Sequence, residues 1–269
     1  MDNIQDINSY VRSMSTTLID KCWWLDKIPD TIDTIVDYGC AQGDLAIYVD
    51  SVYPGRFKYI GIDNSPEMLA LASHNHHLHF GKDSEFYSEI SGISNKCDTS
   101  KAILVLNSVM HGIFSYLTDG GCNALFAEMF GAGFYGIAIR DMYMPSIQAG
   151  DLDLPKCFDA IKSSPYEGMW YEYSVYVSKN PHRKSLWFEK EEIILSEFLM
   201  KYRYVGNWKR EMKETYFWNW VSHIRQAFEN GYAITYDERF SIPFIRERIM
   251  SDFGIEFNID THRRVLLTR

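Results

Sequence analysis

Between residues 34 and 141 the chain alternates β-rich apolar runs with segments of helical character, and this alternation constrains the fold more than any other feature. The β-rich runs are Thr34–Tyr38 (TIVDY), Phe57–Ile62 (FKYIGI), Leu78–Phe80, Lys101–Leu106 (KAILVL) and Phe134–Ile139 (FYGIAI). Helical segments are expected at Asp44–Val52, Glu67–Ser73 and Cys122–Met129. Ser65 followed by Pro66 is a strong helix start, because a hydroxyl can cap the first turn and proline fits its first position. Strands separated by helices must connect by right-handed crossovers, which predicts a mostly parallel sheet with helices on both faces. KAILVL is apolar at nearly every position, as a strand buried on both faces requires.

The alternation stops after Asp141. Residues 142–231 read as an insertion with helices expected near Glu189–Lys201 and Glu211–Glu229. Strand patterns return at Tyr232–Tyr236 and Arg264–Thr268. Upstream, Ile4, Ile7, Tyr10, Val11, Met14, Leu18 and Cys22 recur at helical spacing, and Trp23 and Trp24 are placed to pack on the main domain or to roof its cleft. The expected organisation is an N-terminal helical segment (1–33), a ligand-binding core (34–141), an insertion suited to recognising a second molecule (142–231) and closing strands (232–269).

The most informative stretch is Val36-Asp37-Tyr38-Gly39-Cys40-Ala41-Gln42-Gly43-Asp44. A strand ends, small residues turn the chain, and a helix begins. Small residues let a ligand approach the backbone, and a helix start offers amide donors. Asp37 lies at the end of the first strand and Asp63 at the end of the second, twenty residues after Gly43. In an open parallel sheet both lie at the carboxyl edge, where ligands bind. An acid on the second strand can accept two hydrogen bonds from a ribose diol. A dinucleotide would place its pyrophosphate beside Asp37, like charge against like. Gly39-x-Ala41-x-Gly43 also has a shorter final interval than G-x-G-x-x-G. A ligand bearing an ammonium and a sulfonium suits Asp37 better.

At these residues the sequence resembles the class I S-adenosylmethionine-dependent methyltransferases, through VDYGCAQG at 36–43 and YIGIDNSPEML at 59–69. KAILVLNSVMHGI at 101–113 is similar to the segment that flanks the reacting methyl in that family. The resemblance implies a Rossmann-like, seven-stranded, mostly parallel α/β sheet with an antiparallel last strand and an insertion before the final two strands. It implies S-adenosylmethionine as cofactor, with contacts from Asp37, Gly39, Ala41, Gly43, Asp63, Asn64, Asp83 and Asn107. Ala41 stands where glycine is commoner.

Methyl transfer needs a base only when the acceptor carries a proton at working pH. His111 is the best candidate because it follows a buried strand near the methyl site, and Asp141 at the end of the fifth strand could also reach the cleft. Each also has a plain structural reading: His111 packing or capping in a helix, Asp141 capping a helix or pairing with Arg140. His74, His76, His77 and His79 form a local cluster, without the acid and cysteine set a metal site would use, so a solvated loop is expected. Asn107-Ser108-Val109-Met110 is not the motif of methyltransferases acting on exocyclic base amines.

Charge and aromatic content bear on the acceptor. The net charge is −9. Residues 1–150 hold nine Lys or Arg against eighteen Asp or Glu, whereas the rest balances at 18 of each. The acidic half does not attract a phosphate backbone. Residues 201–213 (KYRYVGNWKREMK) carry five basic side chains and one acid among aromatics, a composition able to grip phosphates and stack bases. A solvated helix face over an aromatic core is the plainer reading. The favoured acceptor is a small molecule in an aromatic-lined cleft. An RNA or other nucleic acid gripped by 201–213 is the alternative, and a non-catalytic cofactor-binding regulator or scaffold is the third. The five cysteines are odd in number and lack C-x-x-C spacing, and the N-terminus lacks a basic–apolar leader pattern. A cytoplasmic protein with no membrane span is expected.

Overall fold

The computed structural model describes residues 18–80, 85–144, 152–180, 191–216 and 220–269. A short helix α1 (Leu18–Lys21) leads into β1 (Thr34–Tyr38), α2 (Asp44–Val52), β2 (Lys58–Ile62), α3 (Pro66–Phe80), β3 (Glu85–Tyr87) and β4 (Ala102–Asn107). Then come α4 (Met110–Tyr116), α5 (Asp119–Gly131) and β5 (Gly136–Met142). Among the described residues there follow α6 (Leu154–Lys162), α7 (Glu167–Lys179), α8 (Glu191–Lys201), α9 (Trp208–Glu211) and α10 (Trp220–Glu229). The chain closes with β6 (Ala233–Phe240), α11 (Pro243–Phe253) and β7 (His262–Thr268).

The seven strands form one sheet in the order β3-β2-β1-β4-β5-β7-β6. β1 to β5 pair in parallel, while β7 runs antiparallel to both β5 and β6. Strand order reverses between β1 and β4, which opens a crevice at their carboxyl ends. The period-2 alternation of strands sorts the core into two layers. Ile35, Ile103, Val105, Ala138 and Leu266 pack on one face with Trp24, Leu45 and Val49. Val36, Leu104, Leu106, Ile137, Ile139, Val265 and Leu267 pack on the other with Phe126, Met129 and Phe130. Trp24 is thus a core residue and no roof of a cleft.

Three local expectations change. Leu78–Phe80 is the last turn of α3 and not a strand. Ser65 accepts from the Met68 amide at 3.3 Å, as a cap should, and the helix continues through all four histidines. The third strand is the short Glu85–Tyr87. Among the described residues no set of histidines, cysteines and acids could hold a metal; His76 is buried against Phe80 at 4.2 Å. The expected helix over 211–229 is broken, because residues 215 and 216 send their backbone groups sideways. The Thr215 amide donates to Ser115 Oγ at 2.7 Å, the Tyr216 amide to Glu197 Oε1 at 2.8 Å, and the Tyr216 carbonyl accepts from the Met144 amide at 2.9 Å.

A second core joins the insertion to the end of the chain. Tyr173, Phe198, Tyr202, Trp208 and Tyr216 pack there with Ile245, Ile249, Phe253 and Phe257. Tyr166 and Phe253 meet Tyr202 at 4.7 and 4.8 Å between ring centroids. By contrast, Ala227 on α10 and the following Tyr232 belong to the first core.

Candidate functional site

Leu18, Lys21, Asp37, Gly39, Cys40, Ala41, Gln42, Asp44, Leu45 and Asn107 line a small, part-open cleft at the switch point. The turn between β1 and α2 shapes it. Gly39, Ala41 and Gly43 all take positive φ, at 81°, 47° and 81°. A Cβ on Gly39 would stand 3.0 Å from Val109 Cγ2, so that position must be glycine on two counts. Ala41 holds the left-handed conformation despite its Cβ, at a cost of about 1–2 kcal/mol.

Most amides of this turn are already engaged. Gly39 and Cys40 donate to the Ile62 carbonyl at 2.7 and 3.0 Å. Ala41 donates to Asp63 Oδ2 at 3.0 Å, while the Ser65 amide donates to Asp63 Oδ1 at 2.9 Å. Asp63 therefore staples the turn to the start of α3. It is not among the residues lining the cleft, and neither are Gly43 and the exposed Asn64. Asp37, Gly39, Ala41 and Asn107 do line it. Asp83 lies outside the described residues.

Asp37 is 4% exposed and accepts a 2.6 Å hydrogen bond from the Tyr59 hydroxyl. Burial pushes its carboxyl up to about 6, against the lowering pull of Tyr59 and Lys21. Asn107 is 6% exposed; its Nδ2 donates to the Lys21 carbonyl at 3.2 Å. Its Oδ1 has no hydrogen-bond partner among the described residues. A buried acceptor without a donor is costly and marks where a ligand donor can bind. The cleft thus offers a carboxylate and an orphan carbonyl to a cationic or N–H-bearing group.

Tyr59 and Lys21 are members of the site that sequence reasoning did not single out. Tyr59 was legible in principle: Asp37 is the register partner of Gly61, and Tyr59 lies two residues back on the same face. Lys21 had no such signal, since a helix outside the sheet brings it in.

His111 and Asp141 come together, away from the cleft lining. His111 Nδ1 lies 2.9 Å from Asp141 Oδ1, and the His111 amide donates to Asp141 Oδ2 at 3.1 Å. Asp141 so caps the first turn of α4, while Arg140 pairs instead with Asp20. Glu214 approaches His111 Nε2 at 3.5 Å and receives bonds from Tyr116 and Arg210. Burial pulls the imidazole down, but Asp141 and Glu214 outweigh it and raise the ring to about 9. His111 is therefore a cation at neutral pH, held by carboxylates at both nitrogens.

The basic run 201–213 is also engaged internally. Lys201, wholly buried, pairs with Glu197 at 3.1 Å. Lys209 pairs with Glu172 and Arg210 with Glu214, while Arg203 donates to the Tyr204 hydroxyl. Its aromatics are not among the residues lining this cleft; Tyr202 and Trp208 are core residues. All five cysteines are free. No helix among the described residues is long and apolar enough to cross a membrane.

No protein-family model matches the chain, and no curated protein does. Solved structures do. An O-methyltransferase family protein from Burkholderia thailandensis is 12% identical, with a TM-score of 0.51 over 97% of this chain and 59% of that one. PKMT2 from Rickettsia typhi in complex with AdoHcy is 14% identical, with a TM-score of 0.49 over 95% of this chain and 52% of that one. Magnesium protoporphyrin IX methyltransferase from Synechocystis with bound SAH is 11% identical, with a TM-score of 0.48 over 95% and 83%. The chain spans about half the length of the Rickettsia protein. At this level of identity the likeness is one of fold: the chain has the class I methyltransferase fold.

Proposed function

We propose that the protein binds S-adenosylmethionine in the cleft between β1 and β4 and transfers its methyl group to a small-molecule acceptor. The observation that carries this reading is the pair of buried, cleft-lining acceptors at the switch point, the Asp37 carboxylate and the orphan Asn107 Oδ1. Two acceptors suit an ammonium, and the left-handed turn beneath them leaves no side chain at Gly39 to fill the space. When bound, the cofactor supplies a methyl on an electrophilic sulfonium. Asp37, oriented by Tyr59, holds the cationic end, and Asn107 accepts a second hydrogen bond from it. Asp63 acts through the turn, keeping Ala41 and the start of α3 in place.

In this reading His111 is a positioning residue. Its cation joins Asp141 at the sheet edge to Glu214 of the insertion and fixes the wall beside β4. Positioning can supply much of the rate of a methyl transfer. A small acceptor is favoured over a nucleic acid because Lys201, Lys209 and Arg210 are engaged with acids of this chain. The test is transfer of labelled methyl from S-adenosylmethionine into fractionated small-molecule, RNA and protein pools. Label in the small-molecule fraction alone is the expected result. Label confined to RNA or protein would overturn the acceptor assignment, and binding without transfer to any pool would overturn catalysis.

A further inference from the structure

One wall of the cleft does not belong to the sheet. Leu18 and Lys21 of α1 line it beside the β1 turn. A helix of four residues does not hold itself in water, so tertiary contacts keep α1 in place. Those contacts change character along the chain. Cys22, Trp24 and Leu25 are anchored in the apolar core on one face of the sheet. Just upstream, Ile19 is 78% exposed, and polar bonds hold α1 instead. Asp20 pairs with Arg140 on β5 and Arg264 on β7, which are register partners. Both arginines are also seated without it. Arg140 donates to Ser108 Oγ at 3.2 Å, and Arg264 donates to Glu238 Oε2 at 3.0 Å and lies over the Phe240 ring. The receiving side is fixed, whereas the Asp20 side chain is 25% exposed. A second bond ties α1 to the ligand's space. Asn107 Nδ2 donates to the Lys21 carbonyl at 3.2 Å, and Oδ1 of the same amide has no hydrogen-bond partner among the described residues. A donor that binds Oδ1 fixes the amide plane and polarises its bond to α1.

We propose that Asp20 is a positioning residue for the bound cofactor: it latches α1 across the cleft, and Asn107 couples that closure to the ligand. The inference rests on the function proposed above and extends it to a residue outside the cleft lining. Its argument is that two strand arginines hold the one acid of a helix whose neighbouring residues wall the cleft. The ligand enters and leaves when these ion pairs open, with the chain pivoting upstream of the buried Trp24. A part-exposed ion pair is screened by salt, so the latch loosens as ionic strength rises.

The experiment follows dissociation of S-adenosylmethionine from the full chain by stopped flow, in wild type, Asp20→Asn and Asp20→Glu. Asp20→Asn is expected to speed dissociation about tenfold, with association changed less than about threefold. Asp20→Glu keeps the charge and stays within about threefold of wild type. High salt speeds dissociation in wild type more than in Asp20→Asn. A dissociation rate unchanged in Asp20→Asn overturns the proposal, and so does an Asp20→Glu variant as fast as Asp20→Asn. If Asp20→Asn fails to fold, wild type alone decides through hydrogen exchange. The Cys22 amide, which donates to the Leu18 carbonyl at 3.1 Å, reports the order of α1. Bound cofactor is expected to slow its exchange about tenfold more than that of the Gly254 amide, at the end of α11 and outside the cleft lining. Equal slowing at both amides overturns the proposal. Absence of S-adenosylmethionine binding by wild type instead overturns the proposed function itself.

Discussion

Two regions of the same sheet edge use the same residue types to opposite ends. At β1 and β4, Asp37 and Asn107 line a part-open cleft, and one buried acceptor has no hydrogen-bond partner among the described residues. At β4 and β5, Asp141, His111, Glu214 and Arg210 close on one another, and the insertion is locked down over them. The first region keeps its electrostatic capacity for a ligand. The second uses its charge to hold structure. A buried charge enclosed by its partners is a fixture, whereas buried acceptors that line a cleft can meet a ligand.

The largest effect that can break this contrast is on stability. Asp141→Ala leaves the His111 cation without its closest anion and uncaps α4. It should cost about 3–5 kcal/mol in urea unfolding. It should also change the pH dependence. The His111 pKa is raised when folded, so the stability from its pairing is full below the ordinary histidine value near 6.5. That stability is lost as pH rises through about 9. Wild type should therefore lose stability between those limits, and Asp141→Ala should show a flatter profile. A loss under about 1 kcal/mol would mean the two regions do not differ as described.

The open region should respond the other way. Asp37→Asn should weaken S-adenosylmethionine about 100-fold, read by calorimetry, without lowering unfolding stability by more than about 1 kcal/mol. The folded pKa of Asp37 is raised, so its contribution to stability is present at low pH and lost as pH rises through about 6. Removing that charge should erase this loss. A destabilisation as large as that of Asp141→Ala would make Asp37 a structural residue.

The turn sharpens the contrast at smaller scale. Gly39→Ala imposes a left-handed alanine and a 3.0 Å contact with Val109, and should cost about 1–2 kcal/mol. Ala41→Gly relieves existing strain and should be neutral or stabilising by up to about 1 kcal/mol. Opposite signs at two positions of one turn, measured by thermal unfolding, would support the left-handed geometry at both.

Much of the sheet was legible because its code is local. The apolar run at Ala102–Asn107 and the Ser65-Pro66 start are visible within a few residues. The strand at Glu85–Tyr87 was not: it has three residues, all half-buried and too few to show a period, while Leu78–Phe80 imitated one. In the site, Asp37 and Gly39 follow from a spacing anyone can read. The role of Asp63 as a staple does not, because it depends on where the Ala41 and Ser65 amides point. The basic run at 201–213 misleads for a similar reason. Glu172, the partner of Lys209, lies elsewhere in the chain and only the tertiary fold pairs them, whereas Glu197 and Glu214 stand four residues from Lys201 and Arg210.

The central claim is that an ionised Asp37 in this cleft receives the cationic end of S-adenosylmethionine. The most direct measurement is calorimetric titration of the wild-type chain with that ligand at pH 7 and pH 5. With the folded carboxyl at about 6, affinity should fall about tenfold at the lower pH. That fall should vanish in Asp37→Asn. Binding that is equally tight at both pH values in wild type, or no binding at either, would contradict the account.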